Sequence, residues 1–263
     1  MRIRNIYFRM VKRLGFLKLK PVVFLHLQKT AGTSIINVAR QFYGNDNVIS
    51  HGNYYLDDNG LLITADKFAQ PEYMESRFGN ISFISGHFGY DFAKQFMVNR
   101  YSFTFLRDPI ERLLSFYYFC KTRNPEQFVT YELAQHLPLD EFLKLGFTHP
   151  VIKAHIWNHQ VSLLADGWGA SSNLTLKDDE LLELAMRHLN EFSYVGFTET
   201  FEKDQKNILK DIGITIPVGN HKCNTNPERP LFEGLPQSSK NLLLELTKLD
   251  RVLYEKAWSK YFT

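Results

Sequence analysis

The sequence predicts an α/β fold in which a P-loop-like parallel β-sheet is flanked by helices on both faces. Three observations predict it. Four short, nearly unbroken apolar runs (Pro21 to Leu27, Ile81 to Ser85, Tyr101 to Leu106, Tyr194 to Phe197) have the length and composition of buried strands. Helical periodicities separate these runs, which suits parallel crossovers better than hairpins. Two of the runs end in a polar turn that feeds directly into a helical pattern, the sequence form of a strand–loop–helix anion site.

Taken in order, PVVFLHL (residues 21–27) is the first strand. Gln28 to Ser34 (QKTAGTS) is a small-residue turn, and Ile35, Ile36, Ala39 and Phe42 follow at helical spacing. Residues 43–73 are polar, with Asn, Asp and Gly clusters, and read as a loop-rich region able to shape an acceptor site. Ile81 to Ser85 is a strand ending in Gly86-His87, and Tyr101 to Leu106 one ending in Arg107-Asp108-Pro109. In the helix that follows, Ile110, Leu113, Leu114, Tyr117 and Tyr118 share one apolar face. Asp108 is the expected N-cap, Pro109 the first helical residue, and Glu111 completes a capping-box-like pattern. Arg112 and Ser115 then fall on the opposite side, Ser115 towards a cleft and Arg112 towards solvent and a surface acid. Residues 139–165 are helical by periodicity, as are Asp178 to Phe192 and Phe201 to Ile212. A Pro-, Asn- and Gly-rich loop spans Pro217 to Pro236, and Ser238 to Tyr261 closes the chain as one helix.

The 263 residues suffice for one large domain with a full core. A net charge of only +3, with no basic stripe through the body, excludes nucleic acid as the expected partner. The basic excess lies in front: Arg2, Arg4, Arg9, Lys12, Arg13, Lys18 and Lys20 precede the first acid, Asp46. Ile3, Ile6, Met10, Leu14 and Leu17 recur among them at near-helical spacing. Residues 1–20 therefore read as a basic segment packed on the domain, with weak contact to an anionic membrane surface as the alternative. Residues 21–263 read as a single domain. Cys120 and Cys223 have no metal-type spacing, and neither a membrane span nor a signal peptide is visible. The expected location is cytoplasmic, at most membrane-peripheral.

Three features carry chemistry. The turn after the first strand offers backbone N–H groups, the Lys29 charge and the Thr30, Thr33 and Ser34 hydroxyls to an anion, while Gly32 permits close approach. The G-x-x-x-x-G-K-[ST] spacing of a nucleoside triphosphatase is absent. Arg107 ends a strand, where ligands of such sheets sit, and with Ser115 it could hold a second phosphate. His87 ends another strand at the same edge and, near an ordinary pKa of ~6.5, can take a proton from a hydroxyl. His155 and His159, four apart on the expected helix, lack a third ligand nearby, so no metal site is expected there. On the residues alone, an ATP-dependent kinase or NTPase and a non-catalytic nucleotide-binding module stay open.

The motifs also resemble a known family. FLHLQKTAGTS is similar to the 5'-phosphosulfate loop of Golgi-type carbohydrate sulfotransferases, roughly H-x-x-K-T-[AG]-[GS]-T-[ST]. FLRDPIERLLSFYYF resembles their 3'-phosphate motif, R-D-P-x-x-R-x-x-S-x-Y, and SGHFGYDFAKQF the segment of uronyl 2-O-sulfotransferases that carries the catalytic histidine. YVGFTETFEKD and DRVLYEKAW are similar to later family segments, and the matches run in family order from Pro21 to Trp258. The resemblance implies a bacterial-type, heparan sulfate 2-O-sulfotransferase-like enzyme. It would move a sulfuryl group from 3'-phosphoadenosine-5'-phosphosulfate (PAPS) to a carbohydrate hydroxyl, releasing PAP, with no metal required. Lys29, Thr30, Ala31, Gly32, Thr33 and Ser34 would wrap the 5'-phosphosulfate. Arg107 and Ser115 would hold the 3'-phosphate, His87 would be the base, and Lys29 would stabilise the leaving oxygen. The loop from His221 to Thr225, with Asn224 and Thr225, would cover the nucleotide. Two departures stand out. Ser85 occupies the position of the second histidine of the uronyl 2-O enzymes, and no Golgi anchor is visible, so a lumenal location would require that an anchor had been removed.

Overall fold

The computed structural model describes residues 18–56, 61–63, 65–68, 70–165, 176–215 and 229–261. The expected covering loop from His221 to Thr225, with Asn224 and Thr225, lies in the stretch 216–228 outside them, as do residues 1–17 of the basic segment. The strands are β1 (Val22–Leu25), β2 (Val48–Ile49), β3 (Phe83–Gly86), β4 (Tyr101–Leu106) and β5 (Tyr194–Phe197). They form one parallel sheet in the order β2-β3-β1-β4-β5. Val22 of the central strand pairs with Phe83 on one side and Tyr101 on the other.

The first helices are α1 (Gly32–Tyr43), α2 (Ala65–Phe68), α3 (Pro71–Phe78), α4 (Tyr90–Met97) and α5 (Pro109–Cys120). Then come α6 (Val129–His136), α7 (Leu139–Thr148), α8 (Pro150–Ile156) and α9 (His159–Ala165). The last are α10 (Asp178–Leu189), α11 (Phe201–Asp211), α12 (Gln237–Leu246) and α13 (Lys248–Tyr261).

Alternation along the strands builds a core on each face of the sheet. Val22, Phe24, Phe83, Phe103 and Phe105 pack with Ile35 and Phe42 of α1 and Ile208 of α11. Val23, Leu25, Ile84 and Phe197 pack instead with Phe92 of α4, Leu181 of α10 and Leu253 of α13. This is why the strands read as continuous apolar runs: both faces are covered. A third cluster, beside the sheet, joins Leu113 and Tyr117 of α5 to Phe142 of α7, Ile152 of α8 and Leu243 of α12.

Several expectations change in detail. Residues 43–73, expected as loop, contain β2, two 3₁₀ turns (Asn45–Asn47 and His51–Tyr55) and α2. A two-residue strand leaves no period to read. The helical stretch 139–165 is three helices, so His155 and His159 lie on different ones, α8 and α9. The single C-terminal helix is two, broken at Thr247. Pro150 starts α8, and the α9 and α13 starts explain the breaks before His159 and at Thr247. The Asn158 side chain accepts from Leu249 N–H (2.8 Å) and Asp250 N–H (3.3 Å), while the Asp250 carboxylate accepts from Gln160 N–H (3.1 Å) and Val161 N–H (2.7 Å). Each helix start is satisfied by a residue of the other, a long-range exchange of caps that periodicity cannot register.

Asp108 does cap α5, accepting from Glu111 N–H at 2.9 Å, with Pro109 at the first helical position. The reciprocal bond of a capping box is not made. Asp108 N–H donates to Glu199 (2.9 Å), and the Glu111 carboxylate is taken by Arg229. Arg112, expected at the surface, is fully buried. It donates to the His155 carbonyl oxygen (3.0 Å) and feels the attraction of Asp250. The helical wheel misled because α5 is covered on more than one side, packing against α6, α12 and α13.

Burial pushes the Asp250 carboxyl up to about 6 despite Arg112 and two N–H donors. Removing it leaves the two N–H groups at the start of α9 without their acceptor. Asp250→Ala should therefore lose about 1–3 kcal/mol of stability, the cost of buried donors left unmade. Urea unfolding checks this, and an unchanged stability would deny the carboxylate a structural role.

Candidate functional site

The carboxyl ends of the strands converge on one cleft of about 1080 Å³. His26 follows β1, His51 follows β2, His87 follows β3, Arg107 follows β4 and Thr198 follows β5, and all five line it. Reversal of strand order about a central strand opens such a crevice at this edge.

The loop after β1 is shaped for close approach. Lys29 (φ 70°) and Ala31 (φ 64°) both take the left-handed conformation, which non-glycine residues seldom adopt outside constrained sites. Successive turns of this kind aim backbone N–H groups into one concavity. Gly32 starts α1, where a Cβ would meet the His26 ring at 2.2 Å, so only glycine lets helix and imidazole pack here. Lys29, Ala31, Gly32, Thr33 and Ser34 line the cleft. Thr30 does not. It is buried, and its hydroxyl donates to the Leu27 carbonyl at 2.8 Å. What Thr30 contributes is the shape of the loop.

Lys29 Nζ sits 3.9 Å from the centre of the Phe119 ring, which Arg123 also covers at 4.1 Å. Burial, then Arg107 and Arg123, push the Lys29 ammonium down to about 8. An ammonium crowded this way favours an anion in the cleft.

Arg107 ties the two anion segments together. Gln160 grips its backbone from both sides, accepting from Arg107 N–H (3.1 Å) and donating to its carbonyl (2.9 Å). The guanidinium Nη1 donates to the Lys29 carbonyl (3.0 Å), and Nη2 lies 3.8 Å from Glu111. Arg229, which donates to the Glu111 carbonyl at 2.8 Å, adds a second cation beside it. Ser115 lines the cleft on α5.

His87 is held by its Nδ1, 2.7 Å from the His26 carbonyl oxygen. A carbonyl only accepts, so Nδ1 carries the proton and Nε2 keeps its lone pair. Burial, with His51, His155 and Lys29 adding to it, pushes His87 down to about 4, well below the ordinary value expected from sequence. The imidazole is neutral at pH 7. Ser85, at the departure from the uronyl 2-O pattern, is buried inside β3 and does not line the cleft. His26 and His51 stand beside His87 instead, at ring-centre distances of 4.6 and 6.0 Å.

Sequence reasoning assigned no role to His51, Arg229 or Gln160. His51 opens a short 3₁₀ turn, Arg229 lies in no helix or strand, and the Gln160 side chain acts through a contact 53 residues away. YVGFTETFEKD has a structural use: buried Asp204 accepts from Tyr194 OH (2.8 Å), Phe197 N–H (2.8 Å) and Thr200 OH (2.7 Å), fixing the β5–α11 turn.

The histidines set an acid sensitivity. Burial lowers His155 to about 4 and His159 well below its usual value; His26, His51 and His87 are lowered too. Between about pH 4 and 6.5 the unfolded chain binds protons that the folded one does not, so stability falls as pH drops through that window. Asp250, raised to about 6, works in the opposite direction but is one group against five. Each unbalanced proton is worth about 1.4 kcal/mol per pH unit. The melting temperature should fall steeply from pH 6.5 to 4.5; a flat profile would show these imidazoles to be hydrated.

The architecture so defined is an α/β protein whose cleft, lined by Lys29 and Arg107, lies at the carboxyl edge of a parallel sheet. The sequence model of the sulfotransferase family matches residues 17–257, and the chain belongs to that family. It is accordingly a transferase of sulfuryl groups. No curated protein matches it. Among the described residues no helix is long and apolar enough to cross a membrane.

Proposed function

We propose that this sulfotransferase takes its sulfuryl group from PAPS and places it on a hydroxyl of a carbohydrate, with His87 as general base. The observation that carries the reading is the junction of the two anion segments: Arg107 bonded to the Lys29 carbonyl at 3.0 Å, with His87 on the same cleft. A donor with phosphates at both ends of its ribose needs two cationic sites this close together. The left-handed loop suits the 5'-phosphosulfate, and Arg107 with Ser115 suits the 3'-phosphate. The size of the cleft favours two ligands side by side. Tyr54, Tyr55 and Tyr131 on its wall suit a sugar face.

In the reaction the acceptor oxygen attacks sulfur in line with the bridging oxygen of the phosphosulfate. The new S–O bond forms as the old one breaks, and PAP leaves. His87 Nε2 takes the hydroxyl proton, and Lys29 with the loop amides balances charge growing on the leaving oxygen. This scheme routes no step through a metal.

Calorimetry with 3',5'-ADP against ADP, followed by turnover of labelled PAPS with a glycan panel, tests the proposal. Preference for ADP with Mg²⁺-dependent hydrolysis would replace it with a kinase or NTPase, and binding without turnover would leave a nucleotide-binding module. Arg107→Ala should weaken 3',5'-ADP by about 1.5–3 kcal/mol more than 5'-AMP, the worth of a charge-assisted hydrogen bond. Equal weakening of both would remove Arg107 from the 3'-phosphate.

A further inference from the structure

We propose that His26, His51 and His87 form a binding site for a divalent first-row transition ion of the Zn²⁺ type, open on the side of the cleft. One ring nitrogen from each of the three lies within 4.8 Å of the others. Three imidazoles with a vacant fourth position suit zinc and cobalt, and imidazole ligands disfavour Mg²⁺ and Ca²⁺. Tetrahedral Zn–N bonds of ~2.0–2.1 Å place ligand nitrogens about 3.4 Å apart, so the rings need close by no more than about 1.4 Å.

The fold goes to some length to bring the rings together. They come from three different strand ends, and two glycines make the room. Gly32 leaves space for the His26 ring. At Gly86 an added Cβ would meet Tyr54 at 2.6 Å and the His51 carbonyl at 3.0 Å, so glycine lets the His51–Tyr55 turn settle on the end of β3. His51 itself sits at φ 52°, a strained conformation for a histidine, within the turn that brings its ring to the other two. His26 is 4% exposed, and its Nδ1 has no hydrogen-bond partner among the described residues. His87 is oriented as metal-binding histidines usually are, since its Nδ1–H donates to a backbone carbonyl and leaves Nε2 for the ion. All three are held neutral by burial, the state in which imidazole binds metal. Lys29 and Arg40 oppose a dication here, and an anion bound at the loop would relieve the Lys29 repulsion.

The site does not depend on the proposed reaction; its consequence does. His87 Nε2 cannot hold an ion and accept a proton together, so if His87 is the base, the ion is a reversible inhibitor.

The test is a Co²⁺ titration of the full, untagged, EDTA-stripped chain without nucleotide. Saturable visible d–d bands of low-coordinate Co²⁺, displaced by Zn²⁺, are expected. Asn and Gly accept the left-handed backbone of residue 51, so His51→Asn and His51→Gly should fold and should weaken Co²⁺ at least about tenfold. Absent bands, or bands unchanged in both variants, overturn the proposal. Turnover is then measured at saturating Zn²⁺. Inhibition that tracks occupancy supports both the site and the base. Full turnover with the metal bound supports the site and counts against His87 as base, so the two ideas fail separately.

Discussion

His87→Ala should lose about 10²–10⁴-fold of turnover while binding 3',5'-ADP almost as tightly as the wild type. The geometry separates the two quantities. The ring belongs to neither anion segment, and its Nδ1 is committed to the His26 carbonyl, leaving Nε2 for the acceptor hydroxyl. Removing it raises the barrier without removing a nucleotide contact. The pH profile adds a second readout. Neutral imidazole is the active form, and burial pushes the free-enzyme value down to about 4. In metal-free buffer, kcat/KM should therefore stay flat well below pH 6.5 and decline only towards pH 4. The kcat profile reports the bound complex. There the anionic donor favours imidazolium, so the acidic limb should lie higher. Both limbs should vanish in the variant. Retained turnover would remove His87 from the mechanism, and lost nucleotide binding would make it a structural prop of the sheet edge.

Lys29→Ala should cost about 10²–10³ in kcat and also weaken the donor, as loss of one preorganised charge stabiliser does. Lys29 Nζ is held over the Phe119 ring, so little of its orientation must be organised at the moment of reaction. Alanine at φ 70° keeps the backbone strain of the loop. Lys29→Gly removes the charge and accepts that conformation freely. Equal losses in the two variants assign the effect to the ammonium. Near-wild-type kcat in Lys29→Gly with a defective Lys29→Ala would assign it to loop shape instead.

Much of the frame was legible in the chain. β4 and β5 fall where the apolar runs place them, because strands covered on both faces leave an uninterrupted hydrophobic signal. The Asp108 cap and Pro109 mark the start of α5 by local chemistry alone. Of the motif residues, Lys29, Ala31, Gly32, Thr33, Ser34, His87, Arg107 and Ser115 line a common cleft, since parallel topology carries every strand end to one edge. Thr30, from the same motif, turns inward.

What sequence alone determined, then, is the α/β class, the two strand–loop–helix segments that carry Lys29 and Arg107, and the strand that ends at His87, all set by local periodicity and turn chemistry. Tertiary structure alone decided the burial of Arg112, the exchange of caps between Asn158 and Asp250, the grip of Gln160 on Arg107, and the meeting of His26 and His51 with His87. Each of these is an interaction between residues 25 to 138 positions apart. Their partners are chosen by packing and desolvation in the folded core, and no period of two or 3.6 along the chain encodes which distant side chain will face which.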